Sequence, residues 1–107
     1  MLKISYHVPA SHLEDTKRAL FDAGAGTLGA YDQCCWQVQG EGQFRPLPGS
    51  QPHLGNIDRL TRVPEYRVEM VCAEAFVKQA VNALLAAHPY ETPAYEIRQV
   101  LVLADLD

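Results

Sequence analysis

The sequence has 107 residues, 48% hydrophobic and 21% charged, with 13 acids against 9 bases and a formal net charge of −4. That is the composition of one globular domain, and it excludes collagen-like and disordered chains. No run of about 18 apolar residues is available to span a bilayer, and the basic excess that a nucleic-acid binder relies on is missing.

Leu2, Ile4, Tyr6 and Val8 alternate with Lys3, Ser5 and His7, the period of a half-buried strand. Met1-Leu2-Lys3-Ile4 has no apolar signal-peptide core, so the chain is expected in the cytoplasm, with Cys34, Cys35 and Cys72 as free thiols. After Pro9, the pair Ser11 and Glu14 has the spacing of a capping box and predicts a helix over His12 to Ala23, stopped by Gly24. A second strand is expected at Tyr31 to Gln39, with Cys34, Trp36 and Val38 on one face and Cys35 on the other. Gly40-Glu41-Gly42 then reads as a hairpin turn, Gln43 to Leu47 as a short return strand, and the rest up to Pro64 as a long surface loop. Loops of that length are usually functional or interfacial.

Tyr66 to Cys72 resumes strand alternation. Phe76, Val77, Ala80, Val81, Leu84 and Leu85 form an apolar stripe at helical spacing, which Pro89 ends by pushing His88 out of the helical region. A last strand is expected over Tyr95 to Leu103, with a bulge near Gln99 where its phase slips.

The two halves share one grammar. Strand, helix and strand start near Leu2, Ser11 and Tyr31, and again near Tyr66, Ala75 and Tyr95, an offset of about 64 positions each time. A doubled βαβ unit predicts an α+β, ferredoxin-like domain over residues 1–107 with 40–64 as an excursion. Right-handed crossovers place both helices on one face of a four-stranded antiparallel sheet. Val71, Val100 and Val102 are expected on the other face, and such a face is usually covered by a partner subunit, so a homo-oligomer, dimer or trimer, is expected.

Gly24-Ala25-Gly26-Thr27-Leu28-Gly29 spells a dinucleotide fingerprint, but a helix precedes it and a strand follows, the reverse of what phosphate binding needs. Its glycines are read as a helix stop and a tight turn. The densest chemistry is His88-Pro89-Tyr90-Glu91-Thr92-Pro93, where flanking prolines stiffen a segment that holds an imidazole, a phenol and a carboxylate. Imidazole and carboxylate together suit a divalent metal or a proton shuttle. The competing reading, and the favoured one, is a rigid turn in which His88 and Glu91 bond backbone groups. Cys35 is the candidate for a soft metal ion. No nucleophile elbow, P-loop or zinc-protease motif occurs.

Several stretches together carry a family resemblance. They are Gly24-Ala25-Gly26, Gly29, Tyr31, Cys34 and Trp36; Gly40-x-Gly42-x-Phe44-Arg45-Pro46-Leu47 with Gly49-Ser50, Pro52 and Gly55; Tyr66-Arg67-Val68-Glu69; and His88-Pro89-Tyr90-Glu91-x-Pro93-Ala94-Tyr95. In these the chain resembles the inserted domain of the YqfO-like, Nif-three-like proteins, here standing alone, and its His-Pro-Tyr-Glu-x-Pro turn resembles the trimeric CutA divalent-ion-tolerance proteins, relatives of the PII signalling proteins. The resemblance implies the fold, oligomerisation and a ligand- or metal-sensing role. The two-metal site of full-length Nif-three-like proteins lies in regions that flank this insert, and no residue here matches its ligands.

The leading expectation is a non-catalytic, oligomeric binding or regulatory module. His88, Tyr90 and Glu91, with Trp36, Phe44 and Arg45, would line a cleft between subunits that binds a small molecule. The alternative is a divalent-metal-binding protein in the CutA manner, with His88, Glu91 and Cys35 as ligands. An enzyme ranks third, because no nucleophile–base–orienter set is visible, and a metal-dependent hydrolase accessory is the less expected variant.

Overall fold

The apolar alternation of the first segment becomes strand β1, Leu2–Pro9, in the computed structural model, which describes residues 1–107. A 3₁₀ turn, Ala10–His12, leads into helix α1, Leu13–Asp22. Strands β2, Trp36–Phe44, and β3, Thr61–Cys72, follow. A second 3₁₀ turn, Glu74–Phe76, opens helix α2, Val77–Ala87, and β4, Tyr95–Gln99, closes the sheet. The strand order is β2-β3-β1-β4 and every neighbouring pair is antiparallel. This is the doubled βαβ, ferredoxin-like arrangement. No helix is long and apolar enough to cross a membrane.

The core lies between the sheet and the two helices. Ile4, Tyr6 and Val8 from β1 and Val68, Met70 and Cys72 from β3 meet Leu13 and Leu20 of α1 and Val77, Ala80, Val81 and Leu84 of α2. The period of two and the helical stripe thus put the apolar residues on one surface. Gly24 (φ +106°) and Gly26 (φ +81°) turn the chain out of α1 in left-handed conformations. A Cβ on Gly24 would strike the Phe76 ring, so helix packing also demands glycine there.

Several local expectations are corrected. Ser11 does not cap α1: the 3₁₀ turn already encloses it, and its hydroxyl pairs with His12 Nδ1 at 2.8 Å. Cys34 and Cys35 lie before β2, not in it, because Gln33 adopts φ +56° and the Cys34 N–H bonds the Gly26 carbonyl at 2.8 Å. Gly40-Glu41-Gly42 is not a turn. It continues β2, pairing with Glu65, Pro64 and Val63, so β3 begins at Thr61. Pro64 is tolerated because the β1 ladder ends at Pro9↔Glu65, which leaves β3 one neighbour at that point. The paired β2 and β3 extend past the sheet, and the molecule measures 51 × 28 × 24 Å.

β4 is shorter than expected. Its register ends at Leu2↔Gln99, where β1 itself begins, so the phase slip marks the end of the ladder and not a bulge. Val100 and Val102 therefore lie beyond the sheet. The open face is held by charge. Glu69 accepts from Arg67 (2.9 Å) and Arg98 (3.3 Å), and Glu96 lies 3.5 Å from Arg67 and 3.6 Å from Arg98. The Arg67 guanidinium holds the Glu69 carboxyl below its usual range. Pairs this exposed each contribute about 0–1 kcal/mol.

One buried polar pair ties sheet to helix. Thr16 Oγ1 has a single proton, which it donates to the His12 carbonyl (2.8 Å) and shares with that of Leu13 (3.0 Å). The Tyr6 hydroxyl, 2.9 Å away, must then donate to Thr16. Burial pushes the Tyr6 pKa up. Tyr6→Phe removes a donor and leaves Thr16 satisfied, costing about 1 kcal/mol, whereas Thr16→Val strands the buried phenol and costs about 1–3 kcal/mol. Urea denaturation of the two variants should give that order, and equal losses would contradict the assigned donor.

Candidate functional site

The site begins where α2 ends. Pro89 forces His88 into an extended conformation (φ −77°, ψ 136°), and the chain leaves the helix there. His88 is buried, 6% exposed. Its Nε2 lies 2.7 Å from the His7 carbonyl, and its Nδ1 accepts the Tyr90 N–H at 3.1 Å. Nδ1 is the acceptor, so Nε2 carries the proton and donates, and both nitrogens are committed. The His7 N–H in turn donates to the Ala94 carbonyl at 3.1 Å, so the turn is tied to β1 at both ends. Burial holds the His88 pKa below its ordinary value.

The loop between β2 and β3 folds back toward this turn. The Asp58 N–H donates to the Pro46 carbonyl (2.7 Å) and Ser50 Oγ to the Leu47 carbonyl (2.7 Å), closing the loop on itself. The Gln51 N–H then reaches across to Glu91 Oε2 at 3.0 Å. His53 meets the His12 ring edge-on, with centroids 5.6 Å apart. Between loop and turn lies a cavity of about 260 Å³. Tyr90 is at its centre, flanked by Phe44 (5.9 Å between centroids), His53 (6.2 Å) and His88 (5.0 Å). The Tyr90 hydroxyl is buried and has no partner in full hydrogen-bond geometry; the Glu65 carboxylate is the acceptor it leans toward. Burial, and after it that approach to the Glu65 carboxylate, push its pKa up.

Charge around the cavity is one-sided. Glu65 and Glu91 both line it, and no Lys or Arg does. The ion pairs of the chain use Glu14, Asp15, Glu41, Glu69 and Glu96, and none engages Glu65 or Glu91. Glu65 owes its position to Gly42, directly beneath it, since a Cβ on Gly42 would run into the carboxylate.

Of the residues singled out in the sequence, Phe44, Tyr90 and Glu91 meet at this cavity within one chain. His88 stands behind Tyr90 and holds the turn. Arg45 is exposed and outside the cavity wall. Trp36 is 59% exposed and pairs in register with Glu69, on the open sheet face. Cys35 packs against the hydrophobic core at the start of β2. His88, Glu91 and Cys35 are thus not gathered, and no group of three or more His, Cys, Asp or Glu is arranged to hold a metal ion. Sequence reasoning missed Glu65 and His7. Glu65 fell between the loop, read as ending at Pro64, and the strand, read as starting at Tyr66, and His7 read as a solvated strand residue. The one available signal was the Pro- and Gly-rich texture of the loop.

Comparison with known proteins places this geometry. No protein-family model matches the chain. It is 44% identical over 91 residues to the GTP cyclohydrolase 1 type 2 homolog of Mycobacterium leprae, an alignment covering 85% of this chain and 24% of that protein. The solved structure of a Bacillus cereus protein related to NIF3 superposes with a TM-score of 0.77 at 35% identity, over 90% of this chain and 24% of that one. CutA from Xylella fastidiosa superposes with a TM-score of 0.67 at 21% identity, over 94% of this chain and 84% of that one, a likeness of fold. The chain spans about a quarter of the length of the curated relatives it matches.

The committed His88 ring has a pH consequence. Its folded pKa is depressed, so the unfolded chain takes up the proton first. The stability is complete above the ordinary histidine value and is lost as the pH falls below it. The urea midpoint should therefore drop between about pH 7.5 and about pH 5.5, and His88→Gln should shrink that drop. An unchanged drop in His88→Gln would contradict the assignment.

Proposed function

We propose that this chain, which is homologous to one segment of the Nif-three-like proteins and shares the CutA fold, is a non-catalytic, homo-oligomeric binding module that takes a small molecule between the loop 46–54 and the turn 88–94. One observation carries the reading. Two segments some 40 positions apart, bridged from Gln51 to Glu91, close on a cavity with a buried phenol that lacks a full hydrogen bond and two carboxylates outside every ion pair. Such a combination of apolar wall and few convergent polar groups is what a ligand site requires.

Binding would act on the loop. It rests on the turn through the Gln51–Glu91 bond and the His53 ring contacts, so a ligand that touches both sides favours the closed arrangement by population shift. Non-catalysis fits the wall chemistry: Ser50, its one aliphatic hydroxyl besides Thr92, already spends its proton on the Leu47 carbonyl. The cyclohydrolase name belongs to much longer proteins and supplies no residue role here. The rival divalent-metal reading asks His88 to surrender one of its two backbone bonds before it can ligate, which disfavours it.

Oligomerisation is supported by the edge strand β2. It has β3 on one side only, and it exposes Trp36 (59%) and Val38 (44%) on the same face. An unpaired edge beside exposed apolar side chains is suited to a second copy of the chain.

Two measurements test the reading. A thermal-shift screen of small ring compounds should raise the melting temperature for some, and Tyr90→Phe should weaken those hits roughly 3- to 10-fold. No shift across the screen would refute the binding role. Light scattering at micromolar concentration should give a multiple of the protomer mass, reduced by Trp36→Glu; a monomer for the unaltered chain would refute the assembly.

A further inference from the structure

We infer that the occupant of this cavity is a planar, one- or two-ring nitrogen compound that is cationic or rich in N–H donors and carries no phosphate; the inference rests on the binding role proposed above. Charge gives the first reason. Glu65 and Glu91 present carboxylates to a space with no Lys or Arg in its wall and no ion pair of their own. An anion entering there meets like charge and finds no counter-charge. A cation or an N–H donor finds an acceptor that the protein has left unneutralised.

Shape gives the second reason. Phe44, His53 and Tyr90 present inclined ring faces, 5.9 and 6.2 Å from Tyr90 centroid to its neighbours, an arrangement that accepts a flat ring and favours a delocalised positive charge over a neutral one. Size gives the third. The cavity of about 260 Å³ lies just under the roughly 300–1,000 Å³ of sites for drug-sized ligands, which suits one or two fused rings. The backbone supplies a fourth. Gly42 clears the space that the Glu65 carboxylate occupies, so the position of that acceptor is written into β2 itself. The Tyr90 hydroxyl beside it leans toward Glu65; turned to a ring nitrogen of the occupant, it would free that carboxylate to accept an N–H from the same ring.

Three probes separate the possibilities on the full chain, read by NMR shifts of Phe44, Glu65 and Tyr90. 2-Aminobenzimidazole is flat, two-ringed and cationic near neutral pH; indole has the same frame with one N–H and no charge; adenosine triphosphate carries a ring with phosphates. Aminobenzimidazole should move the cavity resonances, indole should bind roughly tenfold more weakly or worse, and the triphosphate should leave them in place. Glu65→Gln should cost aminobenzimidazole roughly tenfold and indole little. Gly42→Ala, which pushes the same carboxylate aside with its charge intact, should do likewise. If indole or the triphosphate binds as tightly as aminobenzimidazole, or if Glu65→Gln leaves its affinity unchanged, the ligand class is wrong while the cavity keeps its binding role. If no ring compound in the wider screen moves these resonances, both are wrong.

Discussion

The imidazole of His88 sits at the one junction where the chain must leave helix α2, turn, and enter an edge strand, and its two hydrogen bonds decide the shape of that turn. One goes sideways to the His7 carbonyl on β1 and the other forward to the Tyr90 N–H. Together they fix the turn to the sheet and set the angle at which Tyr90 faces the loop. A residue able to donate at one end of a flat ring and accept at the other is needed, and neutral histidine is the side chain that does both. Burial keeps it neutral. The Coulombic neighbourhood works in both directions: Glu65 favours the proton, and His12 and His53 oppose it.

From that junction the rest of the site follows by packing. The turn is rigid, with Pro89 and Pro93 around it, whereas the loop that meets it is long and closed by its own backbone bonds. A fixed wall facing an adjustable one is a common arrangement for ligand sites, because binding and loop closure then draw on the same contacts. All four histidines of the chain lie in this neighbourhood: His7 and His53 in the cavity wall, His12 against His53, and His88 behind Tyr90. The uncovered face of the sheet meanwhile carries the Arg67–Glu69–Arg98–Glu96 lattice, with the exposed apolar side chains Trp36 and Val38 beside it on the edge strand β2.

Much of the fold was legible because period two and the helical stripe are local signals, and their repetition about 64 positions apart gave the doubled topology. Glycine misled. Five glycines do adopt positive φ, Gly24, Gly26, Gly29, Gly49 and Gly55, and those behave as turns. Gly40 and Gly42 do not. Gly42 is small because the Glu65 side chain crosses it, whereas Gly40 has open space beside it, and a sequence does not distinguish freedom of φ from absence of Cβ. Misreading them moved the start of β3 from Thr61 to Tyr66 and left Glu65 outside any strand. The turn at His88 was visible because prolines flank it, and the backbone-bonding role weighed for that histidine is the one its geometry displays. The second half of that reading, Glu91, bonds a backbone N–H as well, though across the cavity and not within its own turn. Trp36 and Arg45 were placed near the site by their neighbourhood in the chain; Trp36 shares a sheet face with Phe44 but stands at the other end of β2, and Arg45 lies outside the cavity wall.

The most direct test is the long-range proton–nitrogen NMR spectrum of the histidine rings, followed while the pH is lowered through the range in which exposed imidazoles protonate. A neutral His88 with its proton on Nε2 and a bare Nδ1, holding that state after ordinary histidines have titrated, is the predicted result. A His88 ring protonated on Nδ1, or one that titrates at the value of a free imidazole, would mean that the turn is not anchored to β1 in this way.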